Sequence, residues 1–288
     1  MSRYRFIHAQ RQDYPIRRLC AVMGVSRSGY YAWRQRPPSA RAQANAELLV
    51  AVHAAHQASR DTYGSPRLYR ALIRQGYSCG RHRVARLMRR AGLRGVPERR
   101  SVRTTQGTEA AAAVPDRLER DFTAAAPNQK WVSDITYIRV GAGWMYLATV
   151  LDLFSRRVIG WAMAEHMRAE LVLGALEMAY AQRGAPCNLI YHSDHGSQYT
   201  STLVRDWLTQ HAVQASMGSK GDCFDNAVAE SFFATLKREC VYRQTYATRQ
   251  EARTQIFEYI EVFYNRQRLH STLDYQSPMD YEQQHMTP

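Results

Sequence analysis

Residues 131–138 read Trp-Val-Ser-Asp-Ile-Thr-Tyr-Ile, a run of β-branched and aromatic residues that predicts a β-strand. Asp134 lies in the middle of this run, among apolar neighbours. A carboxylate inside a core strand costs free energy unless it binds a partner. The stretch therefore predicts a central strand that carries a candidate functional residue.

The chain after residue 138 alternates between strand and helix patterns. Further strands are predicted at 144–153, 157–164, 189–193 and 213–217, and helices at 169–182, 200–211, 225–240 and 250–266. Three successive strands, followed by alternating helices and strands, are typical of a mixed sheet with flanking helices. The predicted fold class is therefore α/β, with a mixed five-stranded sheet.

The first hundred residues predict an all-α region. A helix at 16–23 is followed by a glycine turn, and Ser26 is a suitable N-cap for the next helix. The same helix-turn-helix pattern recurs at 65–91, where a turn at 76–80 separates two helices. This arrangement is typical of DNA-binding modules.

Charge is distributed unevenly along the 288 residues, whose formal net charge is +14. Residues 1–127 contain 24 Arg and 8 acidic residues, whereas residues 128–288 contain 15 basic and 17 acidic residues. A basic half of this kind favours a polyanionic partner, either nucleic acid or an anionic membrane surface. No apolar run approaches the roughly 18–20 residues of a membrane span, so nucleic acid is the predicted partner.

The helix predicted at 81–91 combines an apolar stripe with a basic surface. Its arginines are Arg81, Arg83, Arg86, Arg89 and Arg90. A recognition helix that faces DNA and a solvated basic face both explain the pattern, and the charge of the surrounding region favours DNA.

The five cysteines include no C-x-x-C pair, which argues against a disulfide framework and against a cysteine-based zinc site. His53 and His56 are interpreted as one face of a helix rather than as metal ligands.

Two further acidic residues fit with Asp134. Asp194 ends a predicted strand and Glu230 lies on the predicted helix 225–240, where Lys237 shares its face. Neighbouring strands and a helix beside them can bring three carboxylates together. Phosphodiester cleavage by two Mg²⁺ ions needs several such oxygen ligands.

Other polar residues close to these acids are interpreted first as structural. Asp152 is assigned to a turn and Asn226 to a helix cap. His192, His195 and Gln198 flank Asp194 and are assigned to loop structure, with orientation of phosphate or water as the alternative role.

The three acidic motifs resemble the DDE motif of bacterial insertion-sequence transposases of the insertion sequence 3 (IS3) family, second-reading-frame product. Fifty-nine residues separate Asp134 from Asp194, and 35 separate Asp194 from Glu230, a spacing shared with retroviral integrases. The segments 264–270 and 273–278 are similar to the C-terminal motif of that family. The resemblance covers nearly the whole chain.

The resemblance implies a ribonuclease H-like catalytic core and a two-metal-ion reaction. On this basis the enzyme cleaves the ends of its element and joins the freed 3′-hydroxyl to DNA. Asp134, Asp194 and Glu230 are the expected catalytic residues and metal ligands, with Mg²⁺ as the cofactor and Mn²⁺ as a substitute.

The expected organisation has five segments: a helix-turn-helix-like segment at 1–40, a second helical DNA-binding domain at 41–95, a linker at 96–127, the catalytic core at 128–240 and a helical extension at 241–288. Besides the five arginines of 81–91, the expected DNA contacts are Lys220, Lys237, Arg266, Arg268 and His270. Expected partners are the terminal inverted repeats and target DNA, further copies of the chain on DNA, and a first-reading-frame protein. No membrane partner is expected, and the expected location is the bacterial cytoplasm, in association with the nucleoid.

Two other functions remain open at the level of sequence. One is a DNA-binding repressor without catalysis, and the other is a nuclease that hydrolyses DNA without joining it. The intact acids argue against the first, and the C-terminal motif with the basic region favours ordered DNA ends over free hydrolysis.

Overall fold

The computed structural model describes residues 2–97, 114–218 and 226–286. The chain divides into two compact units, Met1–Ala51 and Val52–Pro288. No helix in the described ranges is long and apolar enough to cross a membrane.

Short helices form the first unit: α1 (Arg3–Ala9), α2 (Ile16–Val22), α3 (Arg27–Gln35) and the first part of α4 (Ala40–Ala58). Ser26 is the N-cap of α3, where its Oγ accepts a hydrogen bond from the Gly29 amide at 3.0 Å. A small core of Ile7, Leu19, Cys20 and Tyr30 holds the helices together. The structure thus confirms the predicted helix, turn and capped helix, while α1 has no counterpart among the predicted helices.

The second unit begins with the rest of α4, followed by α5 (Ser65–Arg74) and α6 (Arg81–Arg90). His53 and His56 lie on α4, as the helix-face interpretation predicted. Gly92 follows α6 with a φ of +71°, a left-handed conformation that suits glycine at a helix end. Residues 96–97 and 114–127 of the predicted linker contain no helix or strand, and residues 98–113 lie outside the described residues.

A five-stranded mixed sheet forms the centre of the second unit. Its strands are β1 (Lys130–Val140), β2 (Gly143–Asp152), β3 (Val158–Ala164), β4 (Ile190–Ser193) and β5 (Gln214–Met217). The spatial order is β3-β2-β1-β4-β5. The pairs β1–β2 and β2–β3 are antiparallel, whereas β1–β4 and β4–β5 are parallel. The predicted sheet is therefore confirmed.

Helices cover and extend this sheet: α7 (Ala169–Gln182), α8 (Thr202–Gln210), α9 (Ala227–Glu239), α10 (Arg249–Phe257) and α11 (Pro278–His285). The bounds of α7 are those predicted. The predicted helix at 250–266 is α10 followed by a π-helical segment at Glu258–Tyr264. α11 has no predicted counterpart.

Helix α7 packs closely on β3 because Gly160 has no side chain. A Cβ at this position would collide with the carbonyl oxygen of Ala175 and with Ala179, both on α7. Because Val172, Ala175 and Ala179 belong to the main hydrophobic core, this close approach fixes one layer of the fold.

We expect Gly160→Ala to lower the free energy of unfolding by about 1–3 kcal/mol, since the backbone of α7 must move to make room. Chemical denaturation measures this change. The matched control is Gly174→Ala on α7, where a new Cβ makes an ordinary contact with Ala162 at 3.5 Å. That variant is expected to be neutral or stabilising by up to about 1 kcal/mol. Equal losses in both variants would contradict the packing argument.

Candidate active site

The parallel pairing of β1 with β4 brings Asp134 level with Asp194. The paired residues Lys130 and Ile190, and Val132 and His192, have a constant offset of 60 (190 − 130 = 60). The same offset carried two residues further places Asp134 opposite Asp194, which follows the last residue of β4. Neighbouring strands lie about 4.8 Å apart, so the two backbones are adjacent at this edge.

Asp134 and Asp194 differ in their surroundings. Asp134 is half-buried, and its Oδ1 accepts a hydrogen bond from the Ile135 amide at 2.7 Å. Asp194 is exposed, and its Oδ1 accepts from the Gly196 amide at 3.0 Å. Each aspartate therefore has one oxygen held by the backbone and the other left for a further partner.

The loop after Asp194 is anchored beneath β1. The Tyr199 hydroxyl and the Ser133 Oγ lie 3.2 Å apart in the interior, one residue before Asp134. This hydrogen bond ties the loop to the strand that carries the first aspartate.

Glu230 reaches the same region from α9, where it lies in the first turn. The start of α9 is attached to β1, since Asn226 Nδ2 donates to the Ser133 carbonyl oxygen at 2.9 Å. Asn226 occupies the predicted N-cap position, but its side chain makes no capping hydrogen bond. The prediction thus placed Asn226 correctly at the N-cap position. It was wrong about the contact, because the side-chain amide of Asn226 binds β1 instead of capping α9. Asn226 Oδ1 is buried without a hydrogen-bond partner among the described residues.

The charges of the other two acids act on Asp134. Burial raises the pKa of Asp134 to about 7, and the negative charge of Asp194 and then of Glu230 adds to this rise. The Ile135 amide and Lys237 oppose it. Partial burial of its carboxyl also raises the pKa of Glu230. The site therefore concentrates negative charge that a cation would stabilise.

Lys237 is a basic residue close to Asp134. Burial lowers the pKa of Lys237, while the charge of Asp134 acts in the opposite direction. Its Nζ lies 4.8 Å from the centre of the Tyr137 ring. As predicted, Lys237 is on the Glu230 side of α9, two turns further along the helix.

The acids do not yet form a closed ligand set. Across residues 2–97, 114–218 and 226–286, no three His, Cys, Asp or Glu side chains are grouped tightly enough to hold a metal ion. His56, the candidate zinc ligand set aside above, is instead bonded to Asp61 at 2.9 Å and to the Arg94 carbonyl oxygen at 3.2 Å.

Asp152 is structural, as predicted. Its carboxylate is fully buried and accepts hydrogen bonds from the amides of Asn128 at 2.8 Å and Phe154 at 2.9 Å. Arg183 lies 3.7 Å away and supplies a compensating charge. These contacts close the turn after β2 and leave the residue outside the acidic cluster.

The polar residues around Asp194 also have protein partners. His192 is buried, with its Nδ1 2.9 Å from Ser216 Oγ on β5. His195 Nε2 lies 2.6 Å from the Gly218 carbonyl oxygen, and Gln198 donates to the Met167 carbonyl oxygen at 3.0 Å. The contacts of His195 and Gln198 agree with the loop interpretation, whereas His192 lies within β4 and pairs with Val132 and Ser216, so the loop assignment is wrong for this residue.

Arg268 was expected to contact DNA phosphate, and the structure corrects this. The side chain is only 2% exposed, and its guanidinium donates two hydrogen bonds to Glu239, at 2.8 and 2.7 Å. Burial alone would lower the pKa of Arg268, but these bonds and the charge of Glu239 raise it above its ordinary value. Arg268 therefore stabilises the C-terminal end of α9.

His270 is also unsuited to the expected phosphate contact. Burial, followed by the charges of nearby arginines, lowers the pKa of His270 to about 3, so the ring is neutral at pH 7. Its Nε2 lies 3.2 Å from the Tyr264 hydroxyl. Arg266 is exposed, and its expected contact with DNA stays a prediction. Lys220 lies outside the described residues.

The arginines of α6 cover its outer surface. Val84, Leu87 and Met88 are buried beneath them. Arg83 is half-buried, and the exposed members are Arg81, Arg86, Arg89 and Arg90. The basic face thus points to solvent, where it is able to meet DNA.

Sequence reasoning missed two connections that hold α9. The first is Asn226 to Ser133, which joins residues 93 positions apart. The second is Glu239 to Arg268. Acidic residues on helices are usually exposed to solvent. Glu239 lies two residues after Lys237, and no local sequence pattern there indicates that it is buried.

Comparisons with known proteins agree with this architecture. Family models described as an integrase core domain match residues 124–223 and 230–286, and an HTH-like domain matches residues 43–101. The Escherichia coli K12 transposase InsF of insertion sequence IS3A is 41% identical over 99% of both chains. A 31 kDa protein of insertion element IS600 from Shigella sonnei is 42% identical, covering 93% of this chain and 98% of that protein. The magnesium-bound catalytic core domain of HTLV-2 integrase aligns with 55% of this chain and 98% of its own, at 14% identity and a TM-score of 0.44.

The fold and the integrase-core matches define a transposase with a ribonuclease H-like catalytic core, preceded by a helical HTH-like region. Within that class, the chain belongs to the IS3 family of insertion-sequence transposases. The expected family, fold and enzyme class are thereby confirmed.

We expect Arg268→Leu to lower the free energy of unfolding by about 3–5 kcal/mol, because Glu239 would remain buried without its main partner. The double variant Glu239→Leu/Arg268→Leu is expected to lose less than the two single variants combined. Chemical denaturation of all three measures the coupling. Additive losses would show that the pair is not coupled.

The same pair gives a pH dependence. Burial favours the neutral form of Glu239, but the hydrogen bonds and charge of Arg268 hold its pKa below the usual range. Its stabilising contribution is therefore present above about pH 4.3, the unfolded value, and is lost as the pH falls through the lower folded pKa. The stability difference between wild type and Arg268→Leu should shrink as the pH is lowered below 4.3.

Proposed function

We propose that Asp134, Asp194 and Glu230 are the catalytic carboxylates of this transposase and that they hold divalent metal ions, with Mg²⁺ as the natural cofactor and Mn²⁺ as a substitute. The observation that carries the proposal is the supply of three carboxylates by two adjacent strands and one helix, with Asp134 close enough to the other two for their charges to raise its pKa.

The donor set fits a hard cation. Carboxylate oxygens are the ligands that Mg²⁺ prefers, and the mutual repulsion of the three acids is relieved by positive charge between them. The HTLV-2 integrase core is described in complex with magnesium, and a Mos1 transposase catalytic domain with Mn. When bound, the metal would activate the attacking oxygen and stabilise the leaving 3′-oxygen of the DNA.

The chain's own residues prepare the site for this chemistry. Ile135 and Gly196 each hold one oxygen of an aspartate, which fixes the direction of the other oxygen. Asn226 attaches the start of α9 to β1 and so sets the position of Glu230. Lys237 supplies a cation for a DNA phosphate beside the acids.

The proposed reaction is cleavage at the ends of the insertion sequence, followed by transfer of the freed 3′-hydroxyl to target DNA. The exposed arginines of α6 are the proposed binding surface for the terminal inverted repeats. Further copies of this chain on DNA and a protein from the first reading frame of the element are the proposed partners, and the resemblance to the IS3 family supports them.

We expect Asp194→Asn to reduce Mg²⁺-dependent cleavage of a duplex carrying the element's terminal repeat by more than about 100-fold, since even outer partners of metal ligands contribute 10–100-fold. The fold should persist, because an asparagine Oδ1 still accepts from the Gly196 amide. Strand cleavage and joined products are followed on labelled DNA with Mg²⁺ or Mn²⁺. Unchanged cleavage by the variant would exclude Asp194 as a ligand.

The same assay separates the alternative functions. Joined products with wild type alone establish a transposase that is active without the first-frame protein. Cleavage without joining would indicate a nuclease. If the protein binds DNA and gives no product, the first-frame protein is added. Activity that appears only after this addition would identify the first-frame protein as the required partner.

We expect Arg86→Gln on α6 to weaken binding to the terminal repeat and to lower the slope of log K against log salt by about 0.9, the value for one lost phosphate contact. The matched control is Arg205→Gln, an exposed arginine of α8 with no proposed role. Binding curves at several salt concentrations give both slopes. A smaller change in slope for Arg86→Gln than for Arg205→Gln would place the DNA-binding surface outside α6.

A further inference from the structure

Two large aromatic side chains are exposed on the hairpin of β1 and β2. Tyr137 is 58% exposed and Trp144 is 47% exposed. Their ring centres lie 5.1 Å apart with the planes nearly perpendicular, at 88°. We call this pair the aromatic platform. Aromatic rings of this size normally bury most of their surface, so the arrangement needs a partner that covers it.

Strand register places basic side chains beside the platform. Tyr137 pairs with Tyr146, and Trp144 pairs with Arg139. Directly opposed residues share one face of a sheet, and so do residues two positions apart on one strand. All four side chains therefore lie on one face, where Arg139 is exposed. The face combines π surfaces with positive charge.

Lys237 connects the platform to the acidic cluster. Its Nζ is 4.8 Å from the centre of the Tyr137 ring, and its charge interacts with that of Asp134. Along β1, Tyr137 follows Asp134 by three residues, a span of about 10 Å in an extended strand, and its side chain projects to the opposite face of the strand from that of Asp134. The link between the platform and the acids is therefore Lys237, which contacts the Tyr137 ring and interacts with the charge of Asp134.

We propose that the aromatic platform stacks an unpaired nucleobase of the DNA strand that passes the catalytic acids. The inference rests on the proposed function of those acids. Every base has a π face, and stacking on tyrosine or tryptophan with flanking cations is the chemistry that holds single-stranded DNA. Arg139 and Lys237 match the adjacent phosphates. A purely apolar partner would leave the charge of Arg139 without a counterpart.

The test uses 2-aminopurine, a fluorescent base that is quenched by stacking, placed one to three nucleotides from the cleavage position in an unpaired end of the terminal repeat. Full-length protein is added with EDTA, so that DNA is bound and not cut. Wild type should quench the probe at one of these positions. Trp144→Ala and Tyr137→Ala should lose the quenching and bind the unpaired end roughly 5- to 150-fold more weakly.

Controls separate stacking from folding. Tyr137→Phe keeps the ring and should quench like wild type. Tyr242→Ala removes a 72% exposed tyrosine from another element and should change neither quenching nor affinity. On fully paired blunt DNA, the Ala variants should bind as wild type does.

Three results would overturn the proposal: unchanged quenching and affinity in both Ala variants, equal losses on blunt DNA, or a loss of DNA-free self-association in Trp144→Ala, which would assign the face to a second copy. Mg²⁺-dependent cleavage by wild type is measured on the same DNA. Cleavage with no effect of the platform variants refutes the platform alone, whereas quenching without cleavage, even after the first-frame protein is added, refutes the catalytic proposal.

Discussion

The parallel pairing of β1 with β4 is the constraint on which the site depends. It joins strands that are 60 residues apart in sequence, and its constant register sets Asp134 beside Asp194. A shift of one residue would turn one of these side chains to the opposite face of the sheet. The register is held from both sides, because β2 pairs with β1 from Trp131 to Val140 and β5 pairs with all of β4. The outer strands therefore support the proposed site by fixing the pairing of the inner two.

Most of the fold could be predicted from the sequence because its elements carry strong local signals. Residues 131–138 are rich in β-branched and aromatic residues, and residues 169–182 are rich in helix-forming Ala, Leu and Glu, so their type and approximate bounds follow from composition. The terminal helices α1 and α11 are only seven and eight residues long, and such short segments give a weak periodic signal. The segment at Glu258–Tyr264 is π-helical and buries Tyr259, Ile260, Phe263 and Tyr264, and the sequence pattern did not distinguish it from an α helix.

Motif and spacing predicted Asp134, Asp194 and Glu230 as candidate catalytic acids, but they did not predict the contacts that support them. Arg268 and His270 belong to a motif as recognisable as that of the acids, yet burial makes them structural, and burial depends on residues far away in sequence. A basic residue in a recognisable motif therefore indicates an ionic contact, but it does not identify the partner of that contact. For Arg268 that partner is Glu239.

Helix α9 connects these observations, since it is fixed at both ends and carries two of the proposed site residues in between. Asn226 attaches its start to the strand of Asp134, and the buried pair of Glu239 with Arg268 holds its end. Glu230 and Lys237 lie between these two anchors, one beside the acids and the other beside Tyr137. Catalytic groups require positions accurate to about 0.5 Å, held by supporting contacts. If Glu230 is catalytic as proposed, the C-terminal motif supports it at a distance, because Arg268 holds the end of the helix that carries Glu230.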